Sequence, residues 1–305
     1  MGNRFESGPQ FKLSEAEEKT HELMIQTNEP IDMGDFIDLY GSETVERDIQ
    51  YTEELKKKFN EQDDKNQREI KKLADLFEAL ISNFVELEDW MGEDIFMVKT
   101  SEYDDYKNGV DVVAEFLKDG KFSHLGLAID VTFGNYLDKK FQRIKQEIQE
   151  GQLTKVKYFM SEGGDFRGEL KNIPRVVLAT DRATIKELST LWTDLTFLKG
   201  RLKDRRERGG NVSDIREKIQ ETRDKLKDHP IQLEILHQIR FQLEKFAEHA
   251  EKIGQREQLT KKYKATLEII NQIIDAKKDL ANKIKEEGYS YSQFDRLQTF
   301  LKENF

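Results

Sequence analysis

The chain has 305 residues, of which 36% are apolar and 36% charged, with a net charge of −10 and no cysteine. That length accommodates one domain of ordinary size plus a second element, and the lack of cysteine excludes disulfides, thiolate-bound zinc and thiol catalysis. The net acidity excludes a uniformly basic, nucleic-acid-coating surface and leaves only local basic faces for such a role.

Residues 1–41 are mostly polar and begin without sustained periodicity, which predicts a poorly ordered N-terminal segment. No apolar leader core opens MGNRFESGPQFK, and no run reaches the roughly 18 apolar residues of a membrane span. A cytoplasmic protein is the expectation. Helical patterning starts at Ser42, a favourable N-cap residue. Further on, LADLFEALISNFVELEDWMG sets Leu73, Leu76, Phe77, Leu80, Phe84, Leu87 and Met91 on one helical face. Glu88 falls within that face, whereas Glu78 and Glu86 are expected to point outward. Gly92 is a natural stop.

Beyond Gly92 the period changes. IFMVKT, VDVVAEF and HLGLAIDVTF read as strands, separated by turn signals at Asn108-Gly109 and Asp119-Gly120. NYLDKKFQRIKQEIQEG reads as a helix with Leu137, Phe141, Ile144 and Ile148 on one face. TKVKYFM is a strand, SEGGDFRGELKN a polar loop and IPRVVLAT a strand, and Asp181 caps a helix ending near Leu198. This order predicts an α/β domain over 42–198, a mixed central sheet flanked by helices. Residues 199–305 read as a charged helical hairpin or coiled-coil-like arm, with Pro230 starting a helix and Ser290 and Gln293 spaced as a capping box. Residues 231–287 of that arm are the expected surface for a homodimer or a protein partner.

The strands carry carboxylates. By alternation, Asp111 shares a face with Val113 and Glu115, and Asp130 shares one with Gly126, Ala128 and Thr132. A buried charge is costly unless paired or bound to a metal. If the two strands are adjacent and antiparallel, Asp111 and Asp130 meet, and a hard cation, Mg²⁺ or Mn²⁺, relieves their repulsion. The structural alternative has Asp111 capping its turn and Asp130 paired with Lys155 or Lys157. The five histidines show no metal-ligand spacing, and no matched nucleophile accompanies them.

The order helix–strand–strand–strand–helix–strand, with Asp111 on the second strand and Asp130 late on the third, resembles the PD-(D/E)XK nuclease superfamily, which has the restriction-endonuclease-like fold. The resemblance covers about residues 70–180. It implies metal-dependent phosphodiester hydrolysis of nucleic acid, with Asp111 and Asp130 holding Mg²⁺ and Asp105 as a further neighbour of the metal. The family's lysine is expected where Thr132 stands. Lys140, on the following helix, is the substitute that the resemblance suggests, and Glu88 is the acid from the first helix. Two basic stretches are expected to meet the phosphate backbone. From Leu137 to Tyr158 six basic residues oppose three acidic ones, and Lys139, Arg143 and Lys157 are the chosen contacts. From Lys199 to Arg208 six oppose two, and Arg201, Arg205 and Arg206 are chosen. The competing expectation is an inactive nuclease-like or purely structural platform that binds proteins.

Overall fold

A computed structural model describes residues 12–26, 28–62, 65–118, 120–130, 135–254 and 257–305. Order begins earlier than the N-terminal composition suggests. Helix α1 (Glu15–Ile25) opens on a capping box: the Glu17 N–H donates to Ser14 Oγ at 3.3 Å, and the Glu17 carboxylate accepts the Ser14 N–H at 2.5 Å. Leu13 and Met24 are buried in the main core. A 3₁₀ turn (Met33–Phe36) and a single turn, α2 (Ile37–Tyr40), lead into two long helices, α3 (Ser42–Gln62) and α4 (Lys65–Leu87).

The central sheet has the order β1 (Ile95–Lys99), β2 (Val112–Lys118), β3 (Lys121–Asp130), β6 (Arg175–Ala179). The first three strands are antiparallel, and β6 runs parallel to β3. A parallel neighbour requires a crossover. Here it is α5 (Asn135–Gln149) followed by a hairpin of β4 (Thr154–Met160) and β5 (Arg167–Ile173), which forms a separate two-stranded sheet. The polar loop expected over 161–172 is therefore largely strand β5. Nor do Lys155 and Lys157 lie on a strand beside β3: Lys155 pairs with Glu169 at 3.5 Å, and Lys157 pairs with Asp48.

The expected C-terminal arm is absent as such. Of helices α6 (Arg182–Glu207), α7 (Ser213–Lys227), α8 (Ile231–Lys252), α9 (Glu257–Ala276), α10 (Lys278–Glu286) and α11 (Ser292–Asn304), α8 packs on β6 and α9 on β3, α11 packs on α8, and α6 packs on α1, α4 and α7. One apolar cluster joins α1, α4, the sheet and α8–α11. The reason lies at β6, a sheet edge whose outward backbone groups need partners. Gln238 and Gln242, one helical turn apart on α8, supply them. Gln242 accepts the Val177 N–H and donates to the Val177 carbonyl, both at 2.8 Å. Gln238 does the same for Ala179 at 2.9 and 2.8 Å. Both glutamines are fully buried. Helix α8 is apolar over most of its circumference because β6, α5, α9 and α11 surround it, so its stripe is spent inside the chain rather than on a coiled coil.

The proposed Ser290–Gln293 capping box also gives way to a tertiary contact. Helix α11 starts at Ser292, and buried Glu234 of α8 accepts the Gln293 and Phe294 N–H groups, each at 3.0 Å. Among the described residues no helix is long and apolar enough to cross a membrane.

Candidate active site

The carboxylates converge at one end of the sheet, where α4, the end of β1 and the approach to β2 meet. That approach is a five-residue π-turn (Asp104–Asn108) closed by Gly109 at φ +64°. Glycine is needed at this position twice over. The left-handed backbone disfavours a side chain, and a Cβ would meet Arg143 Nη1 at 3.1 Å and Arg175 Nη1 at 3.2 Å. The two arginines clamp the turn through its carbonyls: Arg143 donates to the Lys107 oxygen at 2.7 Å, and Arg175 donates to the Asn108 oxygen at 2.6 Å. Arg175 is buried and balanced by Glu147 at 2.9 Å.

Adjacent aspartates in the turn have opposite tasks. Asp104 is buried and accepts four hydrogen bonds, from Ser101 Oγ, Asn108 Nδ2 and the Lys157 and Tyr158 backbone N–H groups. It fixes the turn against β4. Asp105 instead faces Asp111, and the two side chains are hydrogen-bonded to each other.

Asp111 reaches this cluster because strand alternation fails beside it. Val110 and Val113 lie in the same apolar cluster, whereas Val112 lies in the core on the α4 side. Three-residue spacing within one face requires a break, and the chain bends at Asp111. Asp111 thereby leaves the face of Val113 and Glu115 expected for it and interacts electrostatically with Asp75 and Glu78 of α4. Its N–H donates to the Leu127 carbonyl at 2.9 Å, and β3 continues past that point to Asp130. There β3 pairs with β6, Asp130 opposite Ala179. The Asp130 side chain and all of Thr132 lie outside the described residues.

Glu78 is buried, contrary to its expected outward orientation. Helix α4 has no fully outward face along this stretch, because α1 and α6 cover the side opposite the sheet. Ala79, Ile81 and Val85, buried and off the main stripe, were the sequence signal for this. Lys99, at the end of β1, pairs with Glu78 at 2.9 Å. Burial, then Asp111 and Asp75, outweigh Lys99 and push the Glu78 carboxyl up to about 7. Asp105 is held well above the usual carboxylate range by burial first and Asp111 second. Asp75 is raised by burial, against the pull of Lys71 and Lys99. Lys71 itself donates to Tyr106 Oη at 2.5 Å. The cluster thus holds Asp75, Glu78, Asp105 and Asp111 against Lys71 and Lys99.

The other expected site residues are distributed differently. Glu88 is not brought here. It lies past the end of α4, about 15 Å along the helix from Glu78 at 1.5 Å per residue, and pairs with Arg223 of α7 at 3.4 Å. Lys139 is exposed and Lys140 half-exposed on α5, which also carries Arg143. Lys157 is not presented to a ligand: its ammonium is bound to Asp48 and lies 5.2–5.5 Å from the ring centres of Tyr40, Tyr103 and Tyr158. On α6, Arg201 stacks on Phe197, Arg205 forks onto Asp214 at 2.7 and 3.0 Å, and Arg206 is exposed. Among the described residues, no three metal-ligating side chains are grouped so as to hold an ion.

No family model matches the chain, and neither a curated protein nor a solved structure matches it.

Proposed function

We propose that the chain is a metal-dependent nuclease-like hydrolase acting on the phosphodiester bonds of nucleic acid. The observation that carries this reading is the four-carboxyl cluster with Lys99, gathered on α4, β1, the π-turn and the start of β2. The succession α4, β1, β2, β3, α5, then β6 parallel to β3 after the separate β4–β5 hairpin, also supports it, as does the PD-(D/E)XK-like pattern of Asp111 and Asp130. The donor set is all hard oxygen and fits Mg²⁺ or Mn²⁺. Asp111 and Asp105, with Asp130 at the end of β3, are the residues that would hold the cation. Once bound, it supplies Lewis acidity and a lowered pKa for its water.

The chain's own groups divide the remaining work. The juxtaposition of Asp105 and Asp111 creates a repulsion that a cation would relieve. Glu78, titrating at about 7, is suited to accepting a proton near neutral pH. Lys99, 2.9 Å from it, offsets developing negative charge. Arg143 and Arg175 hold the π-turn and so position Asp105 and Asp111.

The test is cleavage of single- and double-stranded DNA and RNA with Mg²⁺ or Mn²⁺ by wild type, Asp111→Asn and Glu78→Gln. Wild-type cleavage that falls by about 100-fold or more in both variants is expected. A second reading, a non-enzymatic protein-binding platform, is favoured by the lack of a three-ligand grouping among the described residues. No cleavage of any substrate, together with no metal-dependent rise in melting temperature, would overturn the nuclease reading and leave the platform as the reading to test.

A further inference from the structure

On the opposite face of the sheet, a second group of side chains has the makings of a ligand site unconnected with the carboxyl cluster. A cavity of about 500 Å³ lies between the β4–β5 hairpin and α9, and a smaller one of about 140 Å³ runs from it to β3. Both are lined by Asn172, Lys262 and Ala265, so they form one continuous groove. The larger volume falls within the range that encloses a small organic ligand.

Three features give the groove chemistry. Its inner end is His124, whose Nε2 lies 3.0 Å from the buried carboxylate of Glu115. Glu115 also accepts the Glu162 N–H at 3.3 Å, which fixes its orientation. A carboxylate can only accept, so Nε2 carries the hydrogen and the other ring nitrogen of a neutral imidazole, Nδ1, is left as an acceptor on a residue that lines the groove. Edge contact with Phe159 at 5.4 Å holds the ring in place. Burial keeps the imidazole below its ordinary pKa, and Lys262 adds to that effect, which favours the neutral form at neutral pH.

The second feature is cationic. Lys261 and Lys262 line the outer cavity; Lys261 pairs with Glu257 at 2.7 Å, whereas Lys262 makes no ion pair among the described residues. The third is Asn172, a non-glycine residue in the left-handed region at φ +57°, placed where the β4–β5 register shifts. The bulge lies one residue before the end of β5, and asparagine tolerates its left-handed conformation better than most residues. It sets Asn172 at the junction of the two cavities.

We propose that this groove binds a small phosphorylated alcohol, its phosphate on Lys262 and its hydroxyl donating to His124 Nδ1, with Glu115 as the positioning residue for the imidazole. The phosphate matches unpaired lysine, and a hydroxyl donor matches an imidazole locked as an acceptor. The inference does not depend on the nuclease reading and uses none of its residues.

The experiment follows the His124 imidazole ¹⁵N and side-chain ¹H signals during titration of the full chain with ribose 5-phosphate, inorganic phosphate and ribose. Saturable shifts are expected with ribose 5-phosphate, weaker binding with inorganic phosphate, and none with ribose. Lys262 is exposed, so Lys262→Ala leaves the fold intact, and it is expected to weaken ribose 5-phosphate by about tenfold or more. Glu115→Gln, verified as folded by its melting curve, is expected to change the His124 tautomer signature and reduce the ribose 5-phosphate preference over phosphate. Absence of saturable shifts with both phosphate compounds overturns the proposal. So does a Lys262→Ala affinity equal to wild type.

Discussion

Glu78 offers a stability test that needs no substrate. Its carboxyl moves from 4.5 in an unstructured chain to about 7 in the fold, chiefly through burial. The native state therefore holds this proton more tightly than the unfolded state. The associated stability is fully present below the unfolded value and is lost as pH rises through about 7, the reverse of an ordinary salt-bridged carboxylate. At about 1.4 kcal/mol per pKa unit, the whole interval is worth roughly 3 kcal/mol, of which about 2 kcal/mol falls between about pH 5.5 and pH 8. Glu78→Gln keeps the shape and removes the titration. Urea unfolding of both proteins at the two pH values measures the difference directly, with the change in slope checked for constancy. Wild type is expected to lose about 2 kcal/mol more than the variant on going to the higher pH. Equal pH dependence in the two proteins would refute the argument that the carboxyl cluster is an uncompensated charge site.

Other substitutions probe the rest of the framework. Gln242→Leu leaves the Val177 N–H and carbonyl buried without partners and should cost roughly 2–5 kcal/mol in denaturant unfolding, as two unsatisfied backbone groups imply. Lys157→Ala strips Asp48 of its ammonium partner in a nearly buried position, so a loss of roughly 2–4 kcal/mol is expected, with unchanged affinity for an oligonucleotide in fluorescence anisotropy. A large drop in that affinity would return Lys157 to the nucleic-acid surface. Glu234→Ala uncaps α11 and should cost about 1–3 kcal/mol, with early hydrogen exchange confined to the Gln293 and Phe294 amides and their neighbours.

Much of the sheet was legible because it depends on local rules. The β-prone runs at 95–100, 110–116 and 124–133, separated by turn signals, indicate three successive strands, which the fold pairs as antiparallel β1, β2 and β3 with ends shifted by one to three residues. The apolar stripe Phe141, Ile144 and Ile148 specifies the crossover helix, and Asp181 specifies the cap of α6. Asp105 and Asp111 were legible as neighbours since one short turn connects them. The sequence also determined that any hard-cation site would be built from oxygen ligands, since cysteine is absent and the histidines are scattered.

Packing decided the remainder. A helical wheel orders the faces of α4 but does not say how many of them will be covered or which turn lies over the sheet end. Burial by α1 and α6 turned Glu78 inward and left Glu88 to Arg223. Strand alternation assigns Asp111 to the face of Val113, and only the bend forced by placing Val110 and Val113 in one cluster moves it under α4. Residues 199–305 read as an arm because a charged helix with an apolar stripe fits a coiled coil and a core equally well. The choice fell to β6, whose unpaired edge requires hydrogen-bond partners that Gln238 and Gln242 supply from 59 and 65 positions away. Periodicity records which side of an element avoids water, whereas the identity of what lies against that side is fixed only when distant segments compete to satisfy the same buried backbone and charge.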